Sequence, residues 1–151
     1  MKEHQTSIFD QALSLLSHRE HSKKELSTKL KIRGHGEEEI ESIIERLEEM
    51  NYLNDARFAE IFVRGRINKP LGANRIRQEL IQKGISSELA KTTILEAGVD
   101  WFELAKQLKK RRFGEAPSMD FKEKAKQSRY LQYRGFDFEQ IKYALSSKDE
   151  Y

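Results

Sequence analysis

The sequence has no cysteine, two prolines, one tryptophan and eight glycines in 151 residues. Without cysteine there can be no disulfide, no thiolate metal site and no cysteine nucleophile, a usage that fits a reducing cytoplasm. No apolar run approaches the roughly 20 residues that a membrane span requires. The opening MKEHQTSIFD has neither a basic-then-apolar secretory profile nor an arginine-rich transit pattern. The expectation is a soluble, cytoplasmic chain without membrane contact. A phosphate loop of the GxxxxGK[ST] type, a GxGxxG after a strand and a nucleophile elbow are likewise missing. The four histidines, His4, His18, His21 and His35, fall in the first quarter of the chain. His18 and His21 stand three apart, but only Glu20 and Glu25 are near them in sequence as further ligands. The runs Glu37–Glu39 and Glu48–Glu49 lack the burial or specific neighbour that tunes a catalytic carboxyl. No enzyme, no cofactor and no metal is expected.

What is present is helical periodicity. Ile8, Ala12, Leu15 and Leu16 give a first helix over about 7–18. Ser22-Lys23-Lys24-Glu25 is a capping box opening a second, which runs to about Ile32 and stops at Gly34. Ile40, Ile43, Ile44 and Leu47 form the stripe of a third, about 37–50, whose first-turn glutamates complement the helix dipole. Asn54 or Asp55 caps a fourth, about 55–68, burying Phe58, Ile61 and Phe62. After the turn Pro70-Leu71-Gly72 come helices at about 73–83, from Ser86 to before Gly98, and at 101–113, the last opened by Asp100-Trp101-Phe102-Glu103. A linker at 114–119 holds the second proline, Pro117. Helices at about 120–133 and 138–147 follow, separated by Gly135. The fold class is all-α.

Leu30-x-x-x-Gly34, Leu80-x-x-x-Gly84 and Leu131-x-x-x-Gly135 recur at intervals of 50 and 51 residues, each glycine closing one helix shortly before another begins. The chain therefore divides into an N-terminal helix (1–21), a three-helix repeat (22–70), a second (71–114) and a partial third (119–147). Such units cover their faces partly against neighbours, which favours an elongated, curved array.

Charge is uneven along that array. Residues 1–60 carry 9 Lys+Arg against 13 Asp+Glu, and residues 61–151 carry 19 against 12. A polyanionic partner for the second part follows. The candidate contact residues form four groups: Arg64, Arg66 and Lys69; Arg75, Arg77 and Lys83; Lys109, Lys110, Arg111 and Arg112, beside Lys106; and Lys122, Lys124, Lys126, Arg129 and Arg134. Cations at helix C-termini are ordinary dipole partners. Arg75 and Arg77 instead sit near a helix start, where arginines beside free amides could grip a phosphate or carboxylate. Tyr130 and Tyr133 flank Arg129 and Arg134; a packing role is expected of them ahead of base stacking. Phe58, Phe62, Trp101 and Phe102 read as core.

Tyr52-Leu53-Asn54-Asp55-Ala56-Arg57-Phe58-Ala59 resembles a signature of the RecX family. Gly72-Ala73-Asn74-Arg75-Ile76-Arg77-Gln78-Glu79-Leu80, continuing to Lys83-Gly84-Ile85, resembles its second, and Arg129-Tyr130-Leu131-x-x-Arg134-Gly135-Phe136 its third. Ala12-Leu13, Arg19-Glu20-His21-Ser22 and Glu25-Leu26 are similar to its opening. The likeness spans about 10–145, in order. Asn51 departs from it, standing where the family usually has glycine; asparagine tolerates the left-handed conformation, so the turn should survive. The resemblance implies tandem three-helix repeats that lodge in the groove of the RecA filament on single-stranded DNA, inhibit ATP hydrolysis and strand exchange, and catalyse nothing. Its basic positions here are Arg75, Arg77, Arg129 and Arg134. The expected partners are thus the RecA filament and, weakly or indirectly, single-stranded DNA, met by a monomer. From the residues alone two alternatives stay open: a helix-turn-helix transcriptional regulator reading duplex DNA, and a helical array that binds protein only.

Overall fold

The computed structural model describes residues 7–69, 71–117 and 120–146. They form α1 (Ile8–His18), α2 (Lys23–Ile32), α3 (Glu37–Glu49), α4 (Asp55–Ile67), α5 (Ala73–Gln82), α6 (Ser87–Glu96), α7 (Trp101–Phe113), α8 (Phe121–Tyr133) and α9 (Phe138–Leu145). Among the described residues there is no strand, and no helix is long and apolar enough to cross a membrane. Pro70, Met119 and His4 lie outside the described residues.

The caps act where the sequence places them. Ser22 Oγ accepts from the Glu25 amide at 3.1 Å, and the Glu25 carboxylate accepts from the Ser22 amide at 3.2 Å, closing the capping box. Asn54 caps α4. The neighbouring Asp55 carboxylate does something the sequence does not announce, accepting the Lys23 amide of α2 at 2.8 Å. Asn51 holds the left-handed turn with φ 60°.

Three separate cores follow one another. Ala12, Leu26, Leu30, Ile40, Ile43 and Leu47 fill the first, from α1, α2 and α3. Phe58, Ala59, Val63, Ile76, Leu80 and Ile94 fill the second, from α4, α5 and α6. Ala105, Leu108, Leu131, Phe136 and Ile141 fill the third, from α7, α8 and α9. Each unit thus begins with the helix that precedes its glycine-ended hairpin. This corrects the expected boundaries by one helix: α1 belongs to the first unit, α4 opens the second, and the third is complete rather than partial. The reason lies in the leading helices, whose fully buried Ala12, Ala59 and Ala105 let each backbone lie close against its own hairpin.

Successive units meet at repeated joints made mostly of polar groups. At the first, the start of α2 sits on the turn between α5 and α6. Ser22 Oγ donates to Lys83 O at 2.5 Å, and Glu25 pairs with both Lys83 (3.2 Å) and Arg19 (3.0 Å). At the second, the start of α5 sits on the turn between α8 and α9. Here the Gly72 amide donates to Arg134 O at 2.7 Å and the Asn74 amide to Gly135 O at 3.0 Å. Carbonyls in the turn that follows one hairpin helix are satisfied by residues at the start of the second helix of the unit before it. Trp101, packed against both the second and third cores, is the apolar part of that second joint.

A candidate nucleic-acid interface

The second joint gathers cations that are far apart in sequence. A groove of about 500 Å³ is lined by Arg75 from α5, Arg112 and Phe113 from α7, and Lys126, Arg129, Tyr130, Tyr133 and Arg134 from α8 and its end. No carboxylate lines it. The Arg112 and Arg134 guanidiniums lie over the Tyr130 ring, 5.3 and 5.2 Å from its centroid, and Phe113 meets that ring edge-on at 5.3 Å. Such cation–π contacts hold the arginines in place while leaving their N–H groups free to donate. Arg75 spans the joint: its Nη1 donates to Tyr133 O at 3.3 Å, and its guanidinium carbon lies 6.0 Å from the Tyr133 ring.

The other candidate cations stand elsewhere, and several are engaged. Lys109 is 3% exposed, and its ammonium donates to Gly114 O, Glu115 O and Ala116 O at 2.9, 3.3 and 3.1 Å. Burial lowers its pKa, and nearby Glu115 partly offsets that. Lys109 stitches the end of α7 and is corrected from a contact residue to a structural one. Arg66 pairs with Glu79 at 2.9 Å and stacks on Phe62, while Arg64 pairs with Glu60 on the same helix. Lys83 belongs to the first joint, and Lys110 pairs with Glu115 at 3.2 Å. Lys69, Arg111 and Lys122 are exposed but do not line the groove. Arg77 is half-buried and also outside it.

The expected phosphate grip by Arg75 and Arg77 beside free α5 amides is also corrected. Two of those amides, from Gly72 and Asn74, already donate to Arg134 O and Gly135 O. His18 and His21 do not form a metal pair either. The His21 ring is buried, with Nδ1 against Arg19 O at 3.0 Å and Nε2 against Lys29 Nζ at 2.9 Å. The ammonium can only donate, so Nε2 accepts and the ring is neutral. Among the described residues no three histidine or acidic side chains converge as metal ligands.

The two tyrosines divide differently from expectation. Tyr130 packs, half-buried, against the third core, but Tyr133 is 80% exposed. The signal was present: Tyr133 follows the buried Leu131 by two positions, roughly the opposite face of a helix. Beyond Tyr133 lies a wider trough of about 660 Å³ floored by Phe136, Ile141 and Leu145, with Asn74, Gln78, Gln132 and Lys124 on its walls and Phe138 at its rim. Arg75 and Tyr133 line both, so they form the ridge between groove and trough.

The class the described residues define is an all-helical tandem array of three-helix units with a basic, aromatic-lined groove at a unit joint. Comparison narrows the class. The descriptions "RecX, first three-helix domain", "RecX, second three-helix domain" and "RecX, third three-helix domain" match residues 9–47, 54–94 and 99–145, one per observed core. The regulatory protein RecX of Vibrio vulnificus is 44% identical over 142 residues, 94% of this chain and 93% of that protein. That of Halorhodospira halophila is 39% identical over 144 residues, covering 95% and 89%. A crystal structure of RecX from Lactobacillus salivarius superposes with a TM-score of 0.80 at 25% identity, over 95% of this chain and 96% of that one. The chain belongs to the RecX family, and its role is regulatory.

Proposed function

We propose that this protein binds the RecA filament on single-stranded DNA, lodges in its groove, and restrains ATP hydrolysis and strand exchange without catalysing a reaction itself. It acts as a monomer in the cytoplasm. The observation that carries this reading is the groove at the second joint, where five cations from three helices line one surface without a carboxylate among them. A polyanion wound inside a protein filament offers phosphates in series, and a tandem array with a preorganised basic groove is matched to that geometry. The family membership supplies the regulatory role; the groove supplies a physical means.

The test is RecA-catalysed ATP hydrolysis on single-stranded DNA, titrated with wild-type protein and with a Lys126→Glu/Arg129→Glu double variant. Both positions are exposed and outside the cores. Wild type should inhibit, and the folded double variant should need at least about ten-fold more protein, since a reversed phosphate contact loses its counterion-release contribution. Equal inhibition by the two proteins would remove the groove from the mechanism.

A further inference from the structure

We infer that Tyr133 is a stacking platform for one unpaired nucleobase, and that it makes the groove selective for single-stranded over duplex DNA. The inference rests on the nucleic-acid reading of the groove and assigns the contact that discriminates strandedness.

The two tyrosine rings of the groove differ in what they have left to offer. Tyr130 is already engaged by Arg112, Arg134 and Phe113. Tyr133 is 80% exposed, and among the described residues only Arg75 meets its ring, at 6.0 Å. The ring stands in water at the end of a helix, open to whatever covers it. Its position says what. On one side lies the basic groove, suited to phosphates; on the other lies the trough, apolar in its floor, lined by the amides of Asn74, Gln78 and Gln132 and also by Asp137, whose charge Lys124 and Lys142 offset. A strand whose phosphates run along Lys126, Arg129 and Arg134 can turn one base over the ridge onto Tyr133, its polar edge facing those amides. Carboxamides both donate and accept, so every base finds a partner and the contact tolerates any sequence. A base inside a duplex cannot reach the ring without being unpaired and unstacked first. The phosphates are common to both forms of DNA, so the ring, rather than the charge, carries the discrimination.

The experiment measures anisotropy of a labelled oligothymidine, a duplex of equal length, and an oligomer of the same length carrying abasic sites, over a range of NaCl. Tyr133→Ala should weaken oligothymidine binding by about ten-fold or more, within the range for loss of one stacked base, with duplex affinity and salt slope unchanged. Tyr133→Phe should bind as wild type does. Wild type should lose on the abasic strand what Tyr133→Ala loses on oligothymidine, and the two losses should not add, because one contact is removed twice. Arg129→Ala should weaken all three ligands and make the salt slope shallower by about one. If Arg129→Ala behaves so while Tyr133→Ala changes nothing, or weakens duplex equally, the stacking inference is overturned and the groove stands. If the wild-type protein shows no salt-sensitive binding to oligothymidine, the nucleic-acid reading itself fails.

Discussion

Substituting Gly135 by alanine tests the joint from which the groove is built. Gly135 ends the α8 turn at φ +102°, and a Cβ there would stand 2.4 Å from Arg75 Cβ and 2.6 Å from the Arg75 amide nitrogen. Gly34 ends α2 in nearly the same conformation, φ +94°, with nothing within 4 Å of its would-be Cβ. The pair separates backbone strain from the joint. Strain at a left-handed position costs an L-residue about 1–2 kcal/mol, less about 0.4–1 kcal/mol regained because alanine restricts the unfolded chain. Gly34→Ala should therefore cost about 1 kcal/mol. Gly135→Ala carries that cost and an overpacking cost of about 1–3 kcal/mol. The clash is with backbone, so its relief is to back α5 away, which breaks the Gly72–Arg134 and Asn74–Gly135 hydrogen bonds, at about 1 kcal/mol each. We expect Gly135→Ala to exceed Gly34→Ala by about 2 kcal/mol in urea denaturation. Small-angle scattering should show a larger radius of gyration for Gly135→Ala alone. Equal losses within about 0.5 kcal/mol, the tolerance for independent sites, together with superimposable scattering curves, would refute the joint.

Acid should loosen the first joint in two stages. Burial holds the His21 pKa below its usual 6.5, so the unfolded chain takes up that proton first and stability declines as pH falls below 6.5. Burial would raise the Glu25 carboxyl, but hydrogen bonds from Arg19, Ser22 and Lys83 outweigh it and hold the pKa at about 2 against 4.5. Its contribution is whole above 4.5 and is lost between 4.5 and 2, so Glu25→Gln should flatten the lower limb of a stability–pH profile measured by urea midpoint; an unaltered limb would count against the pair. Lys109→Ala should cost about 2 kcal/mol or more, by leaving three carbonyls without their donor and emptying its buried stem. Its affinity for single-stranded DNA should stay within two-fold of wild type in the anisotropy assay; a loss like that of Arg129→Ala would return Lys109 to the interface. Ser22→Ala removes both a helix cap and the bond to Lys83 O. It should lower the thermal midpoint through a loss of about 1–2 kcal/mol, and an unchanged midpoint would show the joint to be idle.

The helices were open to reading because their determinants are local. Caps at Ser22, Asn54, Ser86 and Asp100 each bind an amide three residues on, and every stripe repeats within one or two turns. The glycine period was equally plain, but it marks the hairpin and not the unit. The unit boundary is carried by Ala12, Ala59 and Ala105, small residues that mean nothing singly and gain meaning only when two helices are seen in contact. The same register exposes Lys109: with Ala12, Ala59 and Ala105 aligned, Leu16 and Val63 occupy its position in the first two units. Counted as a member of a cationic run, it looked like surface; counted by register, it falls on the buried face.

The candidate site is another matter. Charge distribution pointed to the second part of the chain, and Arg75, Arg112, Lys126, Arg129 and Arg134 were all among the basic residues there. Nothing along the chain said that these five meet, Arg75 while also paired with Glu79 at 3.7 Å, or that Arg66, Lys83 and Lys109 are engaged in pairs and caps elsewhere. By itself the sequence determined the nine helices of the described residues, a repeating hairpin and a net cationic C-terminal portion, since helix periodicity and caps act over a few residues. Only the tertiary structure decided which cations share a groove and that Tyr133, of its tyrosines, is left uncovered beside them, because that depends on how α5 seats on the turn after α8. That contact is fixed by two glycines with no side chains and by backbone amides and carbonyls that every residue possesses.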